Sequence, residues 1–341
     1  MTPASAETGS SAQMLRVIED DIKRAVEAIP VSPAYDKMRR MVSFHFGWEP
    51  QAPNPSGKRV RPLLTLLTAQ AAGGDWRTAV PAATGIELIH NFSLIHDDIE
   101  DQSDTRRGRP TLWQAWGLAQ ALNTGDALLV LSHMSGRRMA DLGLPHALCL
   151  EAQSIMDHAC LNLTGGQHLD LAFEQQDSVA ETDYLEMIQG KTAALLAAAT
   201  HIGALIAGAE PTRGGDFRDF GAHMGMAFQI QDDILGIWGA PEVTGKPAGD
   251  DLKARKQTLP VVFGLAECPE FAQVWRSPSR DQRAIERMTT QLEACGALEH
   301  ARKLASQHTH SALGHLKSAE PASPAAEELA GLADRLLRRE S

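Results

Sequence analysis

Apolar positions recur at helical spacing from about Ala12 to the end of the chain, and the Val/Ile/Thr/aromatic alternation that marks strands is scarce. The pattern predicts an all-α protein. Alanine- and leucine-rich stretches such as residues 192–208 read as buried helices, too short and too interrupted to span a bilayer. Glycine and proline interrupt the pattern at residues 72–75, 107–110, 208–215 and 239–249, where loops are expected. A helical run is expected to open at Pro62, since proline suits a first helical turn. A last amphipathic helix is expected over residues 325–339, after Pro321 and Pro324. Residues 1–13 are small and polar, without the basic and apolar regions of a signal peptide, and read as a disordered tail. Residues 14–341 read as one domain, a helical bundle around a central cavity.

Two apolar stretches carry aspartates that do not belong in a core. The first is Asp97-Asp98-Ile99-Glu100-Asp101, and the second is Asp232-Asp233 within Phe228-Gln229-Ile230-Gln231-Asp232-Asp233-Ile234-Leu235-Gly236. Asp97 and Asp101 are i,i+4 and Asp98 and Asp101 are i,i+3, so on a helix the three carboxylates share one side. Each like-charged pair costs about 4 kcal/mol at 4 Å and an effective dielectric of 20. A cation must offset that cost. Acid-rich helices are usually solvated faces, but the flanks Phe92 to Ile95 and Met224 to Phe228 are too apolar for one. Carboxylate oxygens suit Mg²⁺, which bridges one or two protein carboxylates to substrate phosphates. Two such faces opposed across a cavity would clamp a diphosphate.

Charge and composition narrow the partners. A net charge of −11 over 341 residues argues against nucleic acid, and stable membrane insertion is not expected. Local charge is basic where a diphosphate would need it: Lys58, Arg59 and Arg61 lie within four residues, and Arg106 and Arg107 follow the first acid cluster. Arginine forks match phosphate oxygens bidentately, and lysine adds point charge. Cys149, Cys160, Cys268 and Cys295 lie far apart without metal-ligand spacing and read as reduced thiols of a cytoplasmic protein.

Taken in order, the motifs resemble the trans-isoprenyl diphosphate synthases of the polyprenyl synthetase family over roughly residues 55–265. They are Gly57-Lys58-Arg59-Val60-Arg61-Pro62, then His90 to Asp98 with Arg106-Arg107-Gly108-Arg109-Pro110-Thr111. Gly165-Gly166-Gln167-His168-Leu169-Asp170-Leu171, Gly190-Lys191-Thr192 and the Phe228 to Asp233 segment follow. Gly245-Lys246-Pro247-Ala248-Gly249-Asp250-Asp251-Leu252 with Lys256 and Thr258-Leu259-Pro260 closes the series. Each is weak alone; their shared order is specific.

The resemblance implies condensation of isopentenyl diphosphate with an allylic diphosphate, dependent on Mg²⁺ with three ions per active site, in a homodimer. It implies that Asp97, Asp98, Asp101, Asp232 and Asp233 bind metal. Arg106, Lys191, Lys246 and Lys256 would touch the allylic diphosphate, while Lys58, Arg61, His90 and Arg107 would hold isopentenyl diphosphate. Thr192 and Gln229 would face the developing carbocation. Gln167 and Asp170 match without a defined role, and His90 also reads as a core histidine. Gly236 departs from the pattern, standing where many members carry a third aspartate. Residues 239–249 look like a loop that could close and deliver Lys246.

Phe92 lies five residues before Asp97, about 7.5 Å along a helix at 1.5 Å per residue, where its ring is the expected floor for a growing prenyl tail, while the small Ser93 beside it leaves room on one side. That favours the twenty-carbon geranylgeranyl product, with farnesyl and geranylfarnesyl diphosphate as alternatives. A class I terpene cyclase is disfavoured by the Gly57 to Pro62 block. A non-catalytic subunit rests only on Gly236.

Overall fold

The computed structural model describes residues 10–48, 57–240, 248–277, 279, 281–322 and 324–337. Helices α1 (Ser11–Val26), α2 (Asp36–Phe46), α3 (Val60–Ala71), α4 (Val80–Glu100), α5 (Leu112–Trp116) and α6 (Leu118–Arg137) come first, with short 3₁₀ turns at Trp76–Ala79 and Ala140–Leu142. After α7 (His146–Phe173) and α8 (Glu181–Ile188) comes a π-helical turn, Gln189–Ala193, leading into α9 (Ala194–Ile206) and α10 (Pro211–Trp238). The chain ends with α11 (Asp250–Ala254), α12 (Leu259–Glu267), α13 (Pro269–Arg276), α14 (Gln282–Ala294), α15 (Ala297–Ser318) and α16 (Ala325–Leu337). The only strands among the described residues are β1 (Thr105–Arg106) and β2 (Arg109–Pro110), an antiparallel pair closed at Arg107 and Gly108, both at positive φ. The all-α expectation holds.

Three expected boundaries move. Helix α1 starts at Ser11 because the Ser10 hydroxyl caps it by accepting from Gln13 N, so residues 11–13 are helical rather than tail. Helix α3 opens at Val60, with Pro62 inside its first turn. Pro211 opens α10, so the expected loop at residues 208–215 shrinks to the few residues before it. The last helix is described as far as Leu337, and the expected end at residue 339 lies outside the described residues.

The described residues form two compact units. The first comprises residues 1–160, 198–217 and 319–329, and the second residues 161–197, 218–318 and 330–341. In the first, α4 is buried on almost every side, from Val80 to Ile95, as expected of a core helix. Gly85 lets Ser132 O of α6 approach it: an added Cβ there would lie 3.2 Å from that oxygen. In the second unit two apolar clusters flank α10. One joins Tyr184, Met187 and Ile188 to Met226, Ile230, Ile234, Leu259 and Val262. The other joins Ile237 to Leu252, Phe271, Ile285, Met288 and Leu292.

Candidate active site

Both acid clusters stand at helix C-terminal ends, where the macrodipole is negative and carboxylates are disfavoured. Asp97 and Asp98 occupy the last turn of α4, with Asp101 as its C-cap; Asp232 and Asp233 lie near the end of α10. Nothing in helix formation requires acids there, so each cluster depends on its partners.

In the first unit the partner is Arg106, on β1. Its Nε donates to Asp98 Oδ1 at 2.7 Å and its Nη2 donates to Asp97 Oδ2 at 3.0 Å. The cation that offsets the like-charge repulsion is thus built into the chain. Asp98 is 3% exposed, and burial pushes its pKa up to about 6; Arg106 pulls it down, and Asp97 and Asp101 push it up.

A basic field surrounds that end of α4. Arg61 on α3 donates from Nη1 to His90 Nε2 at 3.2 Å, which makes that nitrogen an acceptor and His90 neutral. Burial first, then the Arg61, Arg107, Arg106 and Arg59 cations, hold the His90 pKa well below its ordinary value. The same unit brings His45 of α2 to the field. Burial lowers its pKa to about 3; its hydrogen bond with Asn91 raises it, and Arg106 and Arg107 lower it further. His45 Nε2 and Asn91 Oδ1 are 3.1 Å apart. A small cavity of about 30 Å³ is lined by His45, Asp98, Arg106, Arg107, Arg109 and their neighbours. Among the described residues no carboxylate lies within ion-pair distance of Arg107, whose guanidinium rests against Gly57. Lys58 is exposed at the entrance to α3.

Arg59, part of the same basic run, has a different task. It is buried, pairs with Glu87 at 2.9 Å and Glu19 at 3.1 Å, and lies over the Phe46 ring. Its own backbone is left-handed, φ 47°.

Phe92 is 9% exposed. Its ring meets His96 edge-on, with centroids 4.8 Å apart, and His96 Nε2 reaches Leu122 O of α6 at 3.3 Å. Gly125 of α6 makes room for that imidazole, since an added Cβ would run into it. Ser93 turns its hydroxyl onto His90 O.

In the second unit the acid is held by neutral donors. Asp233 is 4% exposed. Its Oδ2 accepts from the Tyr184 hydroxyl and from Leu259 N at 2.9 Å, and its Oδ1 accepts from Gln229 Nε2 at 3.1 Å. Burial raises its pKa to about 7, against the pull of these hydrogen bonds, and Asp251 raises it too. Gln229 in turn accepts from Thr192 Oγ1 at 2.7 Å, so Thr192, Gln229 and Asp233 form one chain of hydrogen bonds. Lys191 is ion-paired with Asp170, which gives Asp170 a role that its motif left undefined.

Lys191 and Thr192 sit on the π turn Gln189–Ala193, a local widening that recurs at functional sites. Glycine permits it. A Cβ on Gly166 of α7 would run into the Lys191 backbone, and one on Gly190 would lie 2.7 Å from Asn162 O. Lys256 is half-buried ahead of α12, with its N–H on Asp251 O at 3.0 Å. Gln257 fixes that segment through Phe173 O and Gln176 O, at 2.6 and 2.7 Å. Lys246 and most of the 239–249 loop lie outside the described residues.

The donor set fits magnesium. Asp97 and Asp232 are half-buried carboxylates beside an inward-turned neighbour, and carboxylate oxygen is the ligand that this ion prefers. Among the described residues no group of three or more His, Cys, Asp and Glu side chains is already gathered as a metal cage; an ion that retains water and bridges to phosphate needs none. None of the four cysteines is in a disulfide, and no helix among the described residues is long and apolar enough to cross a membrane.

Sequence reasoning missed His45 and Tyr184. Neither lies in a motif.

Residues 51–294 match the polyprenyl synthetase family. The chain is 46% identical over 233 residues to a (2E,6E)-farnesyl diphosphate synthase of Mycobacterium bovis, a match that covers 67% of this chain and 64% of that protein. It therefore spans slightly less than two thirds of that relative. It is 36% identical over 328 residues to a geranylgeranyl diphosphate synthase of Mycobacterium tuberculosis, covering 94% of this chain and 90% of that one. Among solved structures, a geranylgeranyl pyrophosphate synthase from Corynebacterium glutamicum, complexed with isoprenyl diphosphate and magnesium, superposes with a TM-score of 0.85 at 29% identity, covering 97% of this chain and all of that one (100%). With the ordered motifs, the all-α fold and a family match over most of its length, this chain belongs to the polyprenyl synthetase family.

Proposed function

We propose that the protein is a Mg²⁺-dependent trans-prenyltransferase that condenses isopentenyl diphosphate with allylic diphosphates into a short all-trans prenyl diphosphate. The observation that carries this reading is the basic field of the first unit. Arg61, Arg106 and Arg107 gather around His45 and His90, which burial first and then these cations keep neutral, and clustered guanidinium groups attract phosphate.

Lys58, Arg61 and Arg107 hold isopentenyl diphosphate, and His90 orients the Arg61 guanidinium by accepting from it. Lys191, Lys246, Lys256 and Arg106 hold the allylic diphosphate, for which Lys191 must leave Asp170 and Arg106 must loosen from Asp97 and Asp98. Asp97, Asp101 and Asp232 are the metal-facing carboxylates. Asp98 and Asp233 turn inward and fix the orientation of their helices. The metal-facing carboxylates would hold magnesium, three ions per site, whose charge would offset that of the departing diphosphate. The Gln229 carbonyl oxygen, oriented by Thr192, faces the developing carbocation. Fixed dipoles of this kind stabilise charge at no cost of reorganisation during the reaction. Water is excluded by the apolar walls.

Geranylgeranyl diphosphate is the product favoured by Phe92 braced on His96 and α6. The farnesyl product is the second reading, supported by the higher identity to the farnesyl diphosphate synthases. We infer also that residues 14–341 act as one domain, since four of the five boundaries between the two units fall inside a helix. A homodimer is supported by the apolar row Leu118, Leu122, Val130 and Met134 on α6, each 43–58% exposed, which suits a second copy of the chain. The thiols suit a cytoplasmic location. The test is incubation of the purified protein with Mg²⁺, isopentenyl diphosphate and each allylic starter, followed by product sizing. Failure to extend any starter would refute the activity.

A further inference from the structure

Two of the four cysteines meet in the second unit. Cys268 belongs to the apolar cluster that contains Ile237, Leu252, Phe271, Ile285 and Leu292, and Cys295 packs against that same cluster. Cys149 and Cys160 lie in the first unit.

Helix packing brings the pair together. Gly264 of α12 lets α14 come close, since an added Cβ would run into the Leu292 side chain and would lie 2.9 Å from Phe271. Each cysteine stands about one turn beyond that contact. Cys268 N–H donates to Gly264 O at 2.9 Å, and Cys295 Sγ donates to Leu292 O at 3.4 Å. Cys268 caps α13, its Sγ accepting from Phe271 N at 3.4 Å, and Cys295 is the C-cap of α14. Both thiols therefore hang from helix ends, where the backbone can adjust without breaking a helix. The two side chains are hydrogen-bonded to each other. Burial raises the Cys295 pKa, the Ala297 N–H lowers it, and the adjoining Cys268 thiol raises it again. A cysteine kept only as a small apolar group needs no second thiol beside it.

We propose that Cys268 and Cys295 form a reversible oxidation site, closing into a disulfide when the protein meets hydrogen peroxide and reopening with a small thiol. Cys295 is half-buried while Cys268 is 7% exposed, so peroxide reaches Cys295 first. The Cys295 sulfur attacks the O–O bond, becomes a sulfenic acid and releases one water. The Cys268 sulfur then attacks the sulfenic sulfur; the S–S bond forms, the S–O bond breaks and a second water leaves. Two thiols thus lose two electrons and two protons, and one peroxide is reduced to two waters. In reducing compartments disulfides of this transient kind serve as sensors. The bond ties the corner between α12 and α13 to the corner between α14 and α15, and α12 is the helix whose Leu259 N–H holds Asp233. The pair stands apart from the transferase chemistry, so its test needs no turnover.

That test is treatment of the native, full-length protein with hydrogen peroxide, followed by alkylation of the remaining thiols and peptide mass mapping without reductant. A peptide pair linked through Cys268 and Cys295 is expected, in protein that still migrates as a single chain on a non-reducing gel. Dithiothreitol should release it. Cys149→Ser with Cys160→Ser should leave the link intact, while Cys268→Ser or Cys295→Ser should abolish it. The oxidised protein should melt about 5 °C above the reduced one, because the link restrains the unfolded chain, and Cys295→Ser should show no such shift. Sulfinic or sulfonic acid at Cys295 without the link, a link that uses Cys149 or Cys160 instead, or four unreacted thiols would each overturn the proposal.

Discussion

The two acid clusters look alike in sequence and are held in opposite ways. In the first, the inward aspartate is bound by a cation: Arg106 spans Asp97 and Asp98. In the second, the inward aspartate is bound by neutral donors, the Tyr184 hydroxyl, Leu259 N–H and the Gln229 amide. On the proposed chemistry the first arrangement is exchangeable, since a bound divalent ion would replace the charge that Arg106 supplies and would free its guanidinium for phosphate. The second is fixed, because nothing that arrives can replace a buried phenol and a backbone amide. One cluster is poised to rearrange on binding, and the other is a preset wall.

The largest effect should come from breaking the exchangeable cluster. Asp97→Ala with Asp98→Ala removes both acids that Arg106 holds, and loss of one preorganised electrostatic group commonly costs about a hundredfold or more in turnover. Steady-state kinetics with Mg²⁺ should show at least that loss, and chelation of metal should match it. Retention of full turnover would end the assignment of this cluster.

Separating the diphosphates should give the next effect. Arg61→Ala should raise KM for isopentenyl diphosphate about tenfold, roughly the loss of a charged hydrogen bond of 1.5 kcal/mol, with little change in KM for the allylic substrate. Lys191→Ala should do the reverse. Swapped preferences would exchange the two site assignments.

Much of this was legible in sequence, and the limits have physical causes. The helices, the acid clusters and the basic run were readable because carboxylates in apolar stretches and arginines at fixed spacing violate the ordinary partition between core and surface. Which cation balanced the first cluster was not readable. The repulsion between Asp97, Asp98 and Asp101 called for magnesium, and Arg106, eight residues on, already meets part of the demand. The basic run gave no means of telling Arg59, buried on Glu19 and Glu87, from Arg61. His45 and Tyr184 carried no local signal at all, because the partner that holds each one is 46 or 49 residues away. Gly236 read as a gap in the stripe, since spacing along one helix says nothing of the Asp251 carboxylate that lies against it from another.

A contrast in pH dependence sharpens the comparison further. His45 is held near 3, far below an unfolded histidine at 6.5, so the unfolded chain binds more protons between those values. The stability it contributes is present above about pH 6.5 and is lost as pH falls toward 3. Asp233 has the opposite sign, because its pKa is raised from 3.8 to about 7. The folded state binds the extra proton, and that contribution is lost as pH rises from about 4 to 7. Thermal unfolding of the metal-free protein between pH 5 and 6.5 should show His45→Gln flattening a rise and Asp233→Asn flattening a fall. Each slope is at most about 1.4 kcal/mol per pH unit. Parallel curves for both variants and the unchanged chain would mean that neither group is as buried as it looks.

The smallest change expected in rate, though not in product, concerns the floor beneath the first cluster. Phe92 is braced by His96, and His96 in turn by Leu122 O and the bare backbone of Gly125, so the ring rests on a backed wall rather than on a movable neighbour. Phe92→Ala removes the ring and leaves His96 in place, which opens a space that an apolar tail would fill at about 25 cal/mol per Å² of surface buried. Products should lengthen by one isoprene unit with turnover within about tenfold of the unchanged protein, since no charged group is touched. Ser93→Phe should shorten them by crowding the same tail. Chromatography of the dephosphorylated alcohols against prenyl standards reads both. Unchanged products in two folded, active variants would move the length limit off α4, and Gly125→Ala, which must displace His96, would then be the variant that reports whether α6 sets it.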